Sequence, residues 1–131
     1  MSTFICDDDG GVTVAEVACE AVREHQAAVM GDQLRALAGR NGGRLAIGLG
    51  RVTSLSAAFF CELRRARERC ERLGGRLVLY GASARVRDAI RAVGVELDVA
   101  PSREEAVRRC AASARGGPVW LPAWFRKARA A

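Results

Sequence analysis

Few residues in this 131-residue chain have the types and spacing that catalysis requires. The single histidine, His25, lies in the polar stretch 23–26, which is typical of a solvated helix start rather than of a general base. The segment 48–50, Gly-Leu-Gly, resembles part of a dinucleotide-binding loop, but Thr53 stands where the third glycine would be needed. The sequence shows neither a phosphate-binding loop nor a matched set of His, Asp and Ser residues. These features favour a protein that is not an enzyme and that uses no cofactor.

The five cysteines do not form a metal-binding or disulfide pattern. Their number is odd, and no two of them are separated by only two residues, so neither a zinc site nor a disulfide framework is indicated. Cys61 and Cys70 are nine residues apart in one predicted helix, which puts them on opposite faces. We expect small buried thiols in a reducing compartment and no bound metal. The cysteines are Cys6, Cys19, Cys61, Cys70 and Cys110.

The overall composition is that of one globular domain. Hydrophobic residues make up 50% of the chain and charged residues 27%, and the formal net charge is +6. All 21 basic residues except Lys127 are arginines, and they are interleaved with acidic residues along the chain, so nucleic-acid binding is not favoured. No apolar run approaches the ~20 residues of a membrane span, and the N-terminus has no signal-peptide pattern. We expect a cytoplasmic protein with no membrane span.

The spacing of apolar residues predicts that strands alternate with helices. Two strands come first, as a hairpin, and three helix–strand units and a last helix follow, which is typical of an α/β domain with a central mixed sheet. Predicted strands cover residues 3–6, 11–19, 44–49, 76–80 and 95–99. Predicted helices cover about 27–40, 56–73, 84–93 and 101–114. Residues 7–9, all Asp, are expected to form a solvated turn.

The predicted helices have apolar residues spaced to form one inward face, and some begin with a residue typical of an N-cap. The longest helix has apolar residues at steps of three and four, and Val29 and Val93 are expected to face inward from two others. Ser83 and Ser102 are expected to cap the N-termini of the last two helices. The stripe of the longest helix is Leu55, Phe59, Leu63, Ala66, Cys70 and Leu73.

Residues 11 to about 110 resemble a STAS domain, the module found in bacterial anti-sigma-factor antagonists and in sulfate-transporter tails. The resemblance rests on segments that follow one another in the expected order: GVTVAEVAC, MGDQLRALAGR, RLAIGLGRVTSLSAAFFCEL, ERLGGRLVLYGASARVRDAI and PSREEAV. It implies a single STAS-like domain with about four helices and a role in signal transduction and transcription regulation. The expected division is an N-terminal strand and turn at 1–10, the domain at 11–115 and a tail at 116–131.

The resemblance also implies a phosphorylation site that this chain has changed. The family's loop is usually Asp-Ser-Ser-Gly, whereas residues 56–59 read Ser-Ala-Ala-Phe. Ala57 takes the place of the phosphorylated residue and has no hydroxyl, and the family's strand-end Asp is Gly48 here. Ser56 and Ser54 are the neighbouring hydroxyls that could replace the switch. Ser56 could instead simply cap its helix, or the site could be a constitutive docking surface with no switch.

The resemblance implies protein–protein interaction, with a kinase-type anti-sigma factor as the expected partner. We expect docking through the loop at 51–60 and the exposed face of the long helix. Phe60 is either an interface anchor or a residue packed against the neighbouring helix. The alternative function is a ligand-sensing STAS module that binds a nucleotide or an anion. The sequence leaves the oligomeric state open. The candidate partner contacts are Arg51, Thr53, Ser54, Ser56 and Phe60.

The segment 116–131 combines aromatic and basic residues after a Gly-Gly-Pro linker. It could fold back on the domain, act as a docking peptide for a partner protein or contact a membrane surface. The residues concerned are Trp120, Trp124, Phe125, Arg126, Lys127 and Arg129.

Overall fold

This computed structural model describes residues 3–113, which form seven β-strands and four α-helices. The predicted tail, 116–131, lies outside the described residues. In chain order the elements are β1 (Phe4–Asp9), β2 (Val12–Val17), β3 (Ala21–Val22), α1 (Glu24–Ala38), a 3₁₀ turn (Arg40–Gly43), β4 (Arg44–Gly48), β5 (Ser54–Leu55), α2 (Ala57–Arg72), β6 (Arg76–Tyr80), α3 (Ala84–Val93), β7 (Asp98–Ala100) and α4 (Arg103–Ser113).

The central sheet has five strands in the order β1-β2-β4-β6-β7. The β1–β2 pair is an antiparallel hairpin, and the other three pairs are parallel. The predicted α/β architecture with a mixed sheet is therefore confirmed. A second, two-stranded sheet, in which β3 runs parallel to β5, was not predicted, because two-residue strands leave no readable alternation of apolar residues.

The hairpin turns at Gly10 and Gly11, whose φ angles of +58° and +82° suit glycine. The three Asp residues 7–9 were expected in this turn, and that prediction is wrong, because they belong to β1. Alternation along the strand sends Asp7 and Asp9 toward α4, where Arg103 forms ion pairs with both carboxylates. Asp8 faces the other way and accepts a hydrogen bond from the Asn41 amide at 2.7 Å.

Helices cover both faces of the sheet, so its central strands are apolar on both sides. Leu45 and Ile47 of β4 belong to the core on the side of α1 and α2, and Ala46 between them belongs to the core under α4. Leu77 and Leu79 of β6 belong to the same core as Leu45 and Ile47, on the side of α1 and α2. This arrangement confirms the prediction that the runs at 44–49 and 76–80 form central strands.

Three predictions of inward-facing residues are wrong. Val29, Leu73 and Val93 are 59%, 46% and 42% exposed. Val29 precedes Met30, which takes the buried position on α1. Leu73 caps the C-terminus of α2, and Val93 is the last residue of α3, so both lie where the helices leave the sheet.

Several element boundaries also differ from prediction, among them those of α1 and of the last strand. Helix α1 begins at Glu24, three residues before the predicted start, and the Gln26 side chain accepts a hydrogen bond from the backbone N–H of Arg23 at 3.0 Å. The last strand is 98–100 rather than 95–99. Gly94 ends α3 in a left-handed conformation, and the chain then needs residues 95–97 to return to the sheet.

The cysteines are not uniformly buried, contrary to expectation. Cys70 and Cys110 are buried, Cys19 is half-buried, and Cys6 and Cys61 are exposed. Burial raises the pKa of the Cys70 thiol to about 12 and that of Cys110 to about 11. The opposite orientations predicted for Cys61 and Cys70 are confirmed. Within residues 3–113, no three His, Cys, Asp or Glu side chains are grouped so that they could hold a metal ion, and none of the helices there is long and apolar enough to cross a membrane.

A partly buried ion pair joins α2 to α1. The Arg35 Nη1 donates to Glu62 Oε2 at 2.8 Å, and the Arg65 Nη1 donates to Glu62 Oε1 at 3.2 Å. The Glu62 side chain is only 11% exposed. It occupies the space beside Gly31, where a Cβ atom would overlap its carboxylate. The glycine on α1 therefore positions the helix whose start forms the candidate site.

Candidate protein-docking site

The loop at 49–56 joins the carboxyl end of β4 to the start of α2. Its first residue is anchored to the sheet, because the Leu49 N–H donates to the Tyr80 carbonyl at 2.8 Å. The Val52 N–H donates to the Leu49 carbonyl at 3.1 Å, and the Val52 side chain is buried. Between these anchors, Gly50 and Arg51 are exposed at the carboxyl edge of the sheet.

The second half of the loop is held by the small β3–β5 sheet. The Glu20 carbonyl accepts from the Thr53 N–H at 2.7 Å, and the Val22 carbonyl accepts from the Ser56 N–H at 2.9 Å. The Thr53 hydroxyl also donates to the Glu20 carbonyl, at 3.1 Å. This small sheet gives the loop a defined shape. No local pattern in the sequence predicts it.

Ser56 is the N-cap residue of α2. Its Oγ accepts a hydrogen bond from the Phe59 N–H at 3.3 Å, and its side chain is half-buried. Ala57 is the first residue of the helix and is exposed. Ser54 is exposed as well, one residue before the end of β5. Whether Ser54 or Ser56 is modified stays a prediction.

Phe60 does not belong to the exposed surface. It is 3% exposed and lies in the main core. It lines a groove of about 110 Å³ together with Ser54 of β5 and Val86 and Ala89 of α3. The prediction of Phe60 as an interface anchor is therefore wrong, and the alternative that it packs toward the neighbouring helix is correct. Its position on α2 turns it toward α3, beside the fully buried Phe59.

The exposed candidates lie on the loop that leads into α2, and the outer face of that helix is exposed as well. Arg51, Thr53 and Ser54 lie on the loop. Arg51, Arg64 and Arg72 take part in none of the ion pairs formed among residues 3–113. Glu68 on the same face takes part in none of them either, so these side chains together leave a net positive charge. The exposed residues of α2 at helical spacing are Ala57, Cys61, Arg64, Glu68 and Arg72.

Comparison with known proteins identifies the fold. The chain superposes on a STAS domain protein from Planctomyces limnophilus with a TM-score of 0.71 and 18% identity, covering 82% of this chain and 97% of that one. An anti-sigma factor antagonist from Mycobacterium paratuberculosis matches with a TM-score of 0.69 and 19% identity, covering 83% and 93%. The chain has a STAS-like fold. No protein-family model and no curated protein sequence matches it.

A third match comes from a larger protein with a different role. The STAS-like fold also superposes on part of a murine anion transporter of the solute carrier 26 family, with a TM-score of 0.65 and 19% identity. The matched region covers 81% of this chain but only 18% of the transporter. The fold therefore occurs both in an anti-sigma factor antagonist and as part of an anion transporter.

One feature of this STAS-like domain was not visible in the sequence. Glu16, Gly48 and Tyr80 are aligned across β2, β4 and β6. The Tyr80 hydroxyl donates to Glu16 Oε1 at 3.2 Å across Gly48, where a Cβ atom would lie 2.7 Å from that hydroxyl. Burial, followed by the Glu16 carboxylate, raises the pKa of Tyr80 to about 12. Position 48 therefore has no room for the strand-end Asp that the family resemblance implies, and the only sequence signal was the glycine itself.

Proposed function

We propose that this chain is a non-enzymatic regulatory domain that binds a partner protein through a docking surface. We define the docking surface as Arg51, Thr53, Ser54, Ser56 and the outer face of α2. The observation that carries the proposal is the ordered, exposed loop at the start of α2, in a fold shared with anti-sigma factor antagonists. A loop that is already ordered loses little conformational entropy on binding.

The charge of the docking surface indicates the chemistry of the partner. Arg51, Arg64 and Arg72 are exposed and have no carboxylate partner among the described residues. An acidic surface on the partner would complement them and speed association at low salt. The expected class of partner, a kinase-type anti-sigma factor, comes from the family resemblance.

The same site lacks the usual means of regulation. Ala57 has no hydroxyl, and Ser56 uses its oxygen to cap α2. We therefore propose that docking is constitutive and depends on the concentration of the partner rather than on phosphorylation at position 57.

Binding to purified kinase-type anti-sigma factors from the source organism tests this function. Arg51→Glu should weaken the affinity at least tenfold, because it reverses an exposed charge on the docking surface. Arg108→Glu is the matched control, since Arg108 is exposed on α4, on the opposite side of the sheet, and it should change the affinity less than twofold. The proposal fails if none of these factors binds, or if both variants weaken binding equally.

The alternative function, a ligand-sensing module for a nucleotide or an anion, stays a prediction. Equilibrium binding of labelled ATP and GTP to the purified protein tests it directly. Saturable binding of either nucleotide would favour this alternative over a purely protein-binding role.

A further inference from the structure

A small groove lies between β5 and the first two turns of α3, next to the docking surface. Thr53 and Ser54 line this β5–α3 groove and belong to the docking surface as well. A protein that covers the docking surface therefore meets the groove beside it. The other residues that line the groove are Arg85 and the apolar residues Leu55, Phe60, Val86 and Ala89.

The size of the β5–α3 groove suits a single side chain. Its volume is about 110 Å³, whereas clefts that bind small organic ligands usually enclose about 300–1,000 Å³. An apolar cavity of about 150 Å³ accepts one benzene molecule, so the groove has room for one aliphatic side chain. Leu55 and Ala89 are only half-buried and pack at the margin of the core. They offer apolar surface that such a side chain would cover.

The only charged residue that lines the groove among residues 3–113 is basic. Arg85 is exposed and takes part in none of the ion pairs formed in this part of the chain. It lies in the first turn of α3, where no acidic residue offsets the partial positive charge of the helix N-terminus. A carboxylate of another protein would compensate both charges.

We propose that the partner protein inserts one aliphatic side chain into the β5–α3 groove and places an Asp or Glu beside it, paired with Arg85. The inference rests on the proposed function, because the groove shares Thr53 and Ser54 with the docking surface. Side chains that fill a desolvated pocket of the other protein carry most of the affinity of an interface. Charge pairs beside them mainly set specificity and the rate of association.

Affinity for a purified kinase-type anti-sigma factor tests the role of the groove. Ala89→Leu should weaken the affinity at least tenfold, because the larger side chain fills the groove. Ala92→Leu is the matched control, since Ala92 is exposed on the same helix outside the groove, and it should change the affinity less than twofold. Ala89→Val, which adds two carbon atoms, replaces Ala89→Leu if circular dichroism shows that the latter is unfolded.

A second pair of variants tests the charge. Arg85→Glu should weaken the affinity at least fivefold at low salt, and the effect should shrink as salt is added, because salt screens exposed charges. Arg91→Glu is the matched control, since Arg91 is exposed on the same helix and does not line this groove. It should change the affinity less than twofold.

The outcomes separate this inference from the proposed function. If Arg51→Glu weakens binding while the variants at positions 85 and 89 bind like the unchanged protein, the docking surface stands and the inference is overturned. Equal losses for Ala89→Leu and Ala92→Leu would also overturn it, because the effect would not depend on the groove. If no such factor binds the unchanged protein, the proposed function and the inference fail together.

Discussion

Ala57 and Ser56 are neighbours with different roles at the start of α2. Ala57 is exposed at the position that the family resemblance assigns to phosphorylation, and it offers no oxygen. Ser56 has a hydroxyl, but that oxygen accepts the Phe59 N–H and is half-buried. The proposed docking surface therefore has no free hydroxyl at either of these two positions.

The first prediction concerns this missing acceptor. Incubation of the unchanged protein with ATP and the kinase-type anti-sigma factor that we propose as its partner should leave the intact mass unchanged, because position 57 cannot form a phosphate ester. Ala57→Ser is the matched variant that restores a hydroxyl at the same exposed place. A gain of one phosphate on the unchanged protein, mapped to Ser54 or Ser56, would contradict the prediction and move the switch to that hydroxyl.

The second prediction concerns the glycine between Glu16 and Tyr80. Gly48→Ala should destabilise the fold by about 1–3 kcal/mol, because the new Cβ atom would lie 2.7 Å from the Tyr80 hydroxyl and 2.8 Å from the Glu16 side chain. Gly50→Ala is the control, since a Cβ atom there meets no atom within 4 Å. Urea denaturation of the two variants measures the difference. Equal midpoints for both would show that the sheet relaxes without cost.

At the level of whole elements, the third prediction concerns the cap of α2. Ser56→Ala should lower the free energy of unfolding by about 1 kcal/mol, because the Phe59 N–H loses its acceptor. Ser56→Asp should retain most of that stability, since a carboxylate also caps a helix. Ser54→Ala, at an exposed hydroxyl, is the control and should change stability by less than about 0.5 kcal/mol. Thermal unfolding that ranks the variants differently would show that the cap is not important for stability.

The elements that the sequence predicted well are those with a strong periodic signal. Strand β6 has the predicted bounds, and α2 and α3 follow their predicted caps at Ser56 and Ser83. The two-residue strands β3 and β5 were missed because their pairing depends on contacts between distant segments rather than on local spacing. For a related reason the sequence left Phe60 open between an interface anchor and a packed residue, since only the position of α3 decides that it is buried.

The site could be predicted only in part. The loop and the start of α2 were located from the family resemblance, and Arg51, Thr53 and Ser54 are exposed there as expected. The hydrogen bond between Tyr80 and Glu16 joins residues 64 positions apart, so no local motif could reveal it. Gly31 and Glu62 are also far apart in the sequence, so no local motif could reveal that Glu62 occupies the space beside Gly31.

For the molecule as a whole, the fourth prediction concerns alkaline pH. Burial raises the pKa of Cys70 and of Tyr80 to about 12 and that of Cys110 to about 11. The unfolded chain would ionise these groups near their ordinary pKa values of 9.0 for a thiol and 10.0 for tyrosine, while the folded chain keeps them neutral. Their stabilising effect is therefore complete below pH 9 and is lost as the pH rises toward 12.

Urea midpoints measured between pH 7 and pH 11 test this prediction. The midpoint should fall steadily above pH 9. Cys110→Ala removes one of the three groups, so its midpoint should fall less steeply over the same range. A stability that stays constant from pH 8 to pH 11 would contradict the raised pKa values of these three groups in the folded chain.

The small β3–β5 sheet has a consequence for the rate of recognition. Hydrogen bonds from Thr53 and Ser56 to residues 20–22 hold the loop before any partner arrives, so no folding step should precede contact. Association should then follow a single exponential, with a rate constant in the ordinary range for rigid proteins of about 10⁵–10⁷ M⁻¹s⁻¹. The lifetime of the complex, rather than the speed of its formation, would then set the affinity for the partner that we propose.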